Sequence, residues 1–455
     1  MAAATIVARQ GLRVIVMDEQ QRPGGQILRQ PPRAFGVRGW LDGRTYRGVK
    51  ATLAAFETEP EIRWCGGRSA LGLAREEGTF VVHAAGMDDV LRITADRVLV
   101  ATGCYDLPVP LAGWTLPGVL AAGGVQAFIK SQQFVPGERF VFAGTHPLML
   151  VIAAQIVTAG GEVALVAFDQ SRTRAAAPLL AKPWTTLRNI EIFASAAAAL
   201  MTLRRHRVPV RYGMPLTAIT GEHQVSAARF DAMRVECDRV AMCYGFVPQS
   251  DLPRMAGAST IWASPAGGWR TLHNEWMATD VEGLWIAGET AGVAGAAAAI
   301  EEGRLAAFAI LRSAGKAPDT DLPAKQARRR LARLQGFTNL LADVADPGAV
   351  LTRAVPEDTI LCRCEDVSFG SVSAALDETL APNAVKLLTR CGMGLCQGRS
   401  CEPALLRLIA SRSGDKIGSA GGFAARFPAR PVQIGDLIQP ASVAATATIS
   451  SEAID

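Results

Sequence analysis

Side chains able to hold a metal crowd one stretch of this chain. Cys362 and Cys364 stand in CRCED, and after 31 intervening residues Cys396 and Cys401 appear in GMGLCQGRSC. Thiolates are soft ligands that hold iron–sulfur clusters or zinc. A C-x-C pair answered by a C-x4-C pair is hard to explain by chance, so the chain is expected to carry electrons.

A second set of residues points to a dinucleotide. Asp18 closes the apolar run Leu12 to Met17, where a dinucleotide-binding unit places the carboxylate that binds ribose hydroxyls. A strand-end turn residue is the competing reading. Gly24, Gly25 and Gln26 follow in PGGQI, and paired glycines let the backbone run close beside a flavin or its phosphates. Thr102-Gly103 and Gly288-Glu289 each end a short apolar strand, at the carboxyl edge where open α/β sheets bind ligands. The glycine-rich stretch after Glu289 opens a helix whose first N–H groups suit a pyrophosphate or a flavin carbonyl.

The elements that must position these groups alternate. A helix over Ala2–Arg9 ends at Gly11 and feeds the strand before Asp18. A second unit runs from a strand at Phe140–Ala143 through the turn Gly144-Thr-His-Pro147 and a helix to a strand at Glu162–Ala167. Such alternation predicts α/β architecture with parallel sheets covered by helices on both faces. The expected division is a dinucleotide domain over about 1–113 plus 276–315, with an inserted second one over 114–275. A linker and helix (316–355), the cysteine segment (356–413) and an extended tail (414–455), whose run Ala441–Ser451 reads as partly disordered, complete it.

Composition narrows the function. With 47 basic and 42 acidic residues the net charge is +5, which predicts no nucleic-acid partner, and the run Arg328–Arg330 reads as a solvated helix face. Five of nine cysteines lie within 362–401, unlike a disulfide framework, so a reducing cytoplasm is expected. Cys65, Cys104, Cys237 and Cys243 read as small buried residues. The start shows no signal-peptide pattern, and Gly144 and Pro147 split the uncharged stretch 140–161 into strand, turn and helix rather than a transmembrane segment.

PGGQI, the stretch ATGCYDLPVPLAGWTLPGVLAAGGVQAFIK, the stretch GLWIAGETAGVAGAAAAIEEGRLAA and the cysteine segment together resemble the α subunits of bacterial heteromeric amino-acid dehydrogenases. That group includes opine oxidase, dye-linked L-proline dehydrogenase, D-hydroxyproline dehydrogenase and hydrogen cyanide synthase. The first part also resembles glutathione-reductase-like flavoproteins with two dinucleotide domains, and the cysteine segment resembles bacterioferritin-associated ferredoxin.

The resemblance implies a small helical domain holding a 2Fe-2S cluster on Cys362, Cys364, Cys396 and Cys401, with Cys391 a neighbour. Zinc is the rival, set back by the lack of the C-x2-C knuckle common in its sites. It further implies FAD beside Asp18, Gly24, Gly25, Gln26, Thr102, Gly103, Gly288 and Glu289, or FMN at a subunit interface. The implied partners are a flavin-bearing β subunit that oxidises an amino acid, imino acid or opine, a small ferredoxin-like subunit, and a quinone or similar acceptor. The implied place is the cytoplasm, free or peripheral to the inner membrane.

Two departures set further expectations. The family's first strand and G-x-G-x-x-G turn would precede Met1, so the coding start is expected upstream; losing that strand would expose two sheet edges. In the middle unit His146 and Pro147 replace the small residues a nicotinamide cofactor needs, which disfavours NAD(P)H and leaves His146 as a helix-capping turn residue. The alternative functions are an NAD(P)H-dependent ferredoxin reductase and a non-catalytic iron–sulfur subunit.

Overall fold

Helix Ala2–Arg9 and strand Val14–Asp18 open the chain in a computed structural model that describes residues 1–438 apart from 38–39, 42, 88, 232 and 317–319. The run Ala441–Ser451, expected as a partly disordered tail, lies outside the described residues. Strand Val14–Asp18 pairs in parallel with Ile62–Gly66, and Val98–Val100 pairs in parallel with Leu284–Ile286. Among the described residues these remain two separate two-stranded sheets. Parallel strands are normally covered on both faces, yet Ile15 is 39% exposed in the middle of an apolar strand.

The first core lies between helix Ala2–Arg9, helix Ala296–Ser313 and the antiparallel sheet of Ser69–Glu76, Thr79–Ala85 and Val90–Ala95. Ala3, Val7, Phe80, Leu284, Leu305 and Leu311 fill it.

The inserted unit is a five-stranded parallel sheet in the order Val210–Tyr212, Glu162–Phe168, Arg139–Gly144, Arg239–Cys243, Val119–Ala121. Alternation along a strand sends side chains to opposite faces. Val141, Leu165 and Val240 accordingly fill one core and Phe140, Val166 and Ala241 another. Helix Leu148–Thr158 packs into the second with seven buried apolar residues, which is why this uncharged stretch reads as core.

A long helix, Leu322–Val344, crosses from the first unit to the middle one and leads through Gly348–Leu351 to the cysteine region. The cysteine region is built from hairpin Ile360–Cys362/Val367–Ser368 and helices Phe369–Glu378, Pro382–Thr389 and Glu402–Ser413. Its core gathers Leu361, Val372, Val385, Leu405 and Phe423 around the cysteines and reaches Trp269 of the preceding unit. The segment after Ser413, expected to be extended, carries a short helix, Ile434–Ile438, and is packed: Phe423 is buried there, and the Ala429 N–H donates to the Leu71 carbonyl across the first unit.

Candidate functional site

The cysteine region brings five thiols together. The sulfurs of Cys362, Cys391 and Cys401 lie within 4.8 Å of one another, all buried. Cys364, which is exposed, has its thiol in hydrogen-bonding contact with that of Cys396. The hairpin turn supplies Cys362 and Cys364. The loop between helices Pro382–Thr389 and Glu402–Ser413 supplies the other three. Hydrogen bonds from Cys391 and Cys401 hold the Cys362 thiol well below its ordinary pKa, and the same contacts push Cys401 and Cys391 up. The Gly392 N–H also donates to the Cys362 sulfur at 3.5 Å. Such a donor set suits a soft metal centre, and two thiol pairs plus a fifth thiol exceed what one tetrahedral zinc needs.

Polar clamps hold both loops. Arg390 Nε meets Glu365 Oε2 at 2.8 Å, joining the residue after Cys364 to the residue before Cys391. Arg399 donates to the Cys396 carbonyl at 3.0 Å and to the Ala429 carbonyl at 3.0 Å, and pairs with Asp251 of the preceding unit. Trp114 Nε1 donates to the Ile360 carbonyl at 2.6 Å, tying the hairpin to the middle unit.

The second candidate site lies at the carboxyl ends of Val98–Val100 and Leu284–Ile286. The Gly103 N–H donates to Thr290 Oγ1 at 2.9 Å, and the Thr102 hydroxyl, 3.2 Å from that oxygen, also donates to the Gln249 carbonyl. The Gly288 N–H donates to Glu302 Oε2 at 2.7 Å, and burial pushes the Glu302 carboxyl up to about 7. Cys104 departs from the expectation of an inert buried thiol: it is half-buried and its sulfur donates to Glu289 Oε2 at 2.8 Å. Burial first, then the Glu289 carboxylate, push this thiol up. Cys65, Cys237 and Cys243 are buried as expected. Helix Ala296–Ser313 starts beside these turns with no side-chain cap. Together these contacts bring Thr102, Gly103, Gly288 and Glu289 to one carboxyl edge.

Strand Cys104–Asp106 connects the two sites. Cys104 turns to Glu289, while Tyr105 turns to the side of Cys396, Arg399, Asp251 and Glu402. Burial first, then Glu402 and Asp251, push the Tyr105 phenol up, so it stays neutral. Spacing alone did not disclose these two directions, although both residues lie in the ATGCYDLPVP stretch that carries the family resemblance.

Asp18 sits at its strand end with Oδ1 accepting the Gln20 N–H at 2.8 Å, and burial raises its pKa. One oxygen therefore serves the turn that the competing reading assigned to it. Gly24 has φ +136 and a Cβ there would strike the Leu28 carbonyl, whereas Gly25, at φ +59, faces open space. Gln26 is exposed, its side chain held by Arg29 at 3.0 Å. Lys130, missed in the sequence, is 3% exposed and reaches the Gln26 carbonyl at 3.4 Å from a π-helical turn, Phe128–Gln132. The lone cation in the otherwise uncharged stretch from Ala112 to Gln133 was the available signal.

In the middle unit His146 Nδ1 accepts the Leu148 N–H at 3.2 Å, the capping role expected of it. The end of helix Leu322–Val344 packs beside this turn. Thr145 Oγ1 donates to the Ala345 carbonyl at 2.7 Å, and Gln170 Nε2 donates to the carbonyls of Thr145 and Val344 at 2.9 and 3.1 Å. Lys182–Asp343 at 2.6 Å and Arg174–Asp346 at 3.5 Å flank these bonds. Asp169, at the strand end where a nucleotide ribose would be read, has burial pushing it up to about 7 and faces Arg353 and Tyr244 instead.

Residues 1–303 match the family model described as pyridine nucleotide-disulphide oxidoreductase. An opine oxidase subunit from Rhizobium meliloti (strain 1021) is 33% identical, over 97% of this chain and 97% of that protein. Hydrogen cyanide synthase subunit HcnB of Pseudomonas aeruginosa is 32% identical, over 95% of this chain and 94% of that protein. The crystal structure of L-proline dehydrogenase from P. horikoshii shares the fold, with a TM-score of 0.69 over 96% of this chain and 76% of that chain at 18% identity. No helix among the described residues is long and apolar enough to cross a membrane.

Proposed function

Because this chain belongs to the pyridine nucleotide-disulphide oxidoreductase family of flavoproteins, alongside the opine oxidase subunit of Rhizobium meliloti, we propose that it is the electron-transferring α subunit of a heteromeric dehydrogenase. In this reading a separate flavin-bearing β subunit oxidises an amino acid, imino acid or opine, and this chain passes the electrons to a quinone or similar acceptor. Cys362 with Cys401, and Cys364 with Cys396, would hold the two irons of a 2Fe-2S cluster. Thr102, Gly103, Gly288 and Glu289 would line a flavin, with Asp18 and Gly24 to Gln26 toward its nucleotide half. When bound, a flavin accepts electrons in pairs and a 2Fe-2S cluster passes them singly.

The observation that carries this reading is strand Cys104–Asp106, which faces the flavin-side crevice with one residue and the cysteine side with the next. A link that short supports electron passage between the two sites. The rival NAD(P)H-dependent ferredoxin reductase would need an open middle crevice, and Ala345 and Val344 lie across it. A non-catalytic iron–sulfur subunit is separated by absorption spectroscopy: a flavin band near ~450 nm in the purified chain excludes it.

The deciding experiment uses the assembled complex with Cys396→Ser or Cys401→Ser. Substrate-dependent flavin reduction should persist while transfer to an external dye or quinone is lost. Normal dye or quinone reduction by either variant would sink the assignment.

A further inference from the structure

We propose that the buried ammonium of Lys130 is a phosphate-binding subsite for a nucleotide cofactor seated at the Gly24–Gln26 turn. The inference rests on the reading of that turn as facing a cofactor. It deepens that reading by naming the group recognised there, a phosphate ester carried by a flavin dinucleotide or by an adenine nucleotide.

The fold leaves the charge of Lys130 unmatched. The residue is 3% exposed, and its single hydrogen-bond partner among the described residues is the Gln26 carbonyl at 3.4 Å. An ammonium carries three donors, so two of them meet nothing. Among the described residues no carboxylate pairs with it. Burial lowers its pKa to about 8, so at pH 7 the site still holds a cation. A buried charge without a counter-ion is costly, and a bound anion offsets that cost.

The backbone keeps the ammonium in place. Lys130 lies in the π-helical turn Phe128–Gln132, a distortion often found at functional sites. Its carbonyl accepts Trp40 Nε1 at 3.2 Å and Gln133 Nε2 at 2.9 Å, and Gln133 closes the turn in the left-handed region at φ +52. The Ser131 hydroxyl donates to the Ala127 carbonyl at 2.8 Å. Three side chains thus hold the turn that carries one cation.

The turn that Lys130 reaches is suited to an anion. Gly25 stands at φ +59 with open space where a Cβ would be. Among the described residues the N–H groups of Gly25, Gln26 and Ile27 meet no acceptor. Successive free N–H groups about a left-handed residue form the kind of concavity that binds anions. Arg29 Nη1 holds the Gln26 side chain at 3.0 Å, so two cations converge on Gln26. In the proposal a phosphate takes its charged bond from the middle unit and its backbone bonds from the first.

The rival role is a strut between the two units, and the test separates them. The purified full-length chain, stripped of bound flavin, is titrated with FAD, ADP, riboflavin and adenosine by isothermal calorimetry. Wild type is compared with Lys130→Met and with Lys130→Gln, whose amide still donates to the Gln26 carbonyl but carries no charge. FAD and ADP should bind about tenfold more weakly to both variants, while riboflavin and adenosine bind as in wild type. Unchanged FAD and ADP affinities would overturn the inference. So would equal weakening of all four ligands, which marks a strut. If Lys130→Met fails to fold, Lys130→Gln decides on the same criteria. The two sources of phosphate separate in the same titrations. If the wild type binds ADP but no flavin, and the variants weaken ADP alone, the subsite stands and the flavin reading falls. Flavin and ADP binding that ignores both variants sinks the subsite alone, and a wild type that binds none of the four overturns both.

Discussion

Lys130 carries its ammonium into a site 3% exposed, with the Gln26 carbonyl at 3.4 Å as partner. Burial lowers its pKa from the ordinary 10.5 to about 8. Below about pH 8 folded and unfolded chains both hold the proton, and the folded chain bears the whole cost of burying the charge. Between about pH 8 and 10.5 the unfolded chain binds more protons, so stability rises with pH, by up to about 3 kcal/mol. Lys130→Met should lack this rise; thermal unfolding midpoints followed from pH 8 to 10.5 in both proteins check it, and parallel curves would count against it. The residue scale is also where the sequence was hardest to read. Cys362, Cys364, Cys396 and Cys401 announced themselves by spacing, and the structure gathers them. Lys130 and Cys104 did not, because their partners Gln26 and Glu289 stand 104 and 185 residues away.

Elements were more legible, because an apolar period is a local property. Helix Ala2–Arg9 and the strand–turn–helix around Gly144 stand where their patterns place them. The basic helix Leu322–Val344 also stands where its pattern places it, but in a different role. Arg328, expected on a solvated face, lies 3.9 Å from the Trp276 ring centroid and pairs with Glu275 at 3.0 Å. The charge run showed the sign of this side chain and nothing of the aromatic surface beneath it. The far end of the helix is hydrogen-bonded to the turn of the middle unit, and in the proposed function it closes the coenzyme crevice. Purified wild-type chain titrated with NADH or NADPH should therefore show no bleaching of bound flavin. Thr145→Val, which loses the bond to the Ala345 carbonyl, should cost about 1 kcal/mol in denaturant unfolding. Bleaching by NADH in the wild type would mean that the seal opens.

At the scale of the whole molecule, four cores are joined by a few polar contacts that no periodicity could disclose. Arg399 is the chief of these, since it touches the Cys396 loop, Asp251 and the Ala429 carbonyl at once. Its side chain is 13% exposed and that of Asp251 25%, so cutting the pair leaves a partly buried carboxylate alone. Arg399→Met should lower stability by about 3 kcal/mol. In calorimetry the cysteine region should melt ahead of the rest, and electron passage to the external acceptor should slow. A single unshifted transition would show that the regions are coupled by other means.

The closed middle crevice also sets what the molecule listens to. A flavoprotein with an open nicotinamide site shares its electrons with that pool, and its redox state follows the ratio of reduced to oxidised coenzyme. Here Ala345 and Val344 of the same chain stand in the way. Under the proposed function, throughput would then be governed at its two ends, by how much substrate arrives and how oxidised the acceptor is. In that reading the second dinucleotide unit would act as an insulator that keeps this branch of electron flow from short-circuiting into the coenzyme supply.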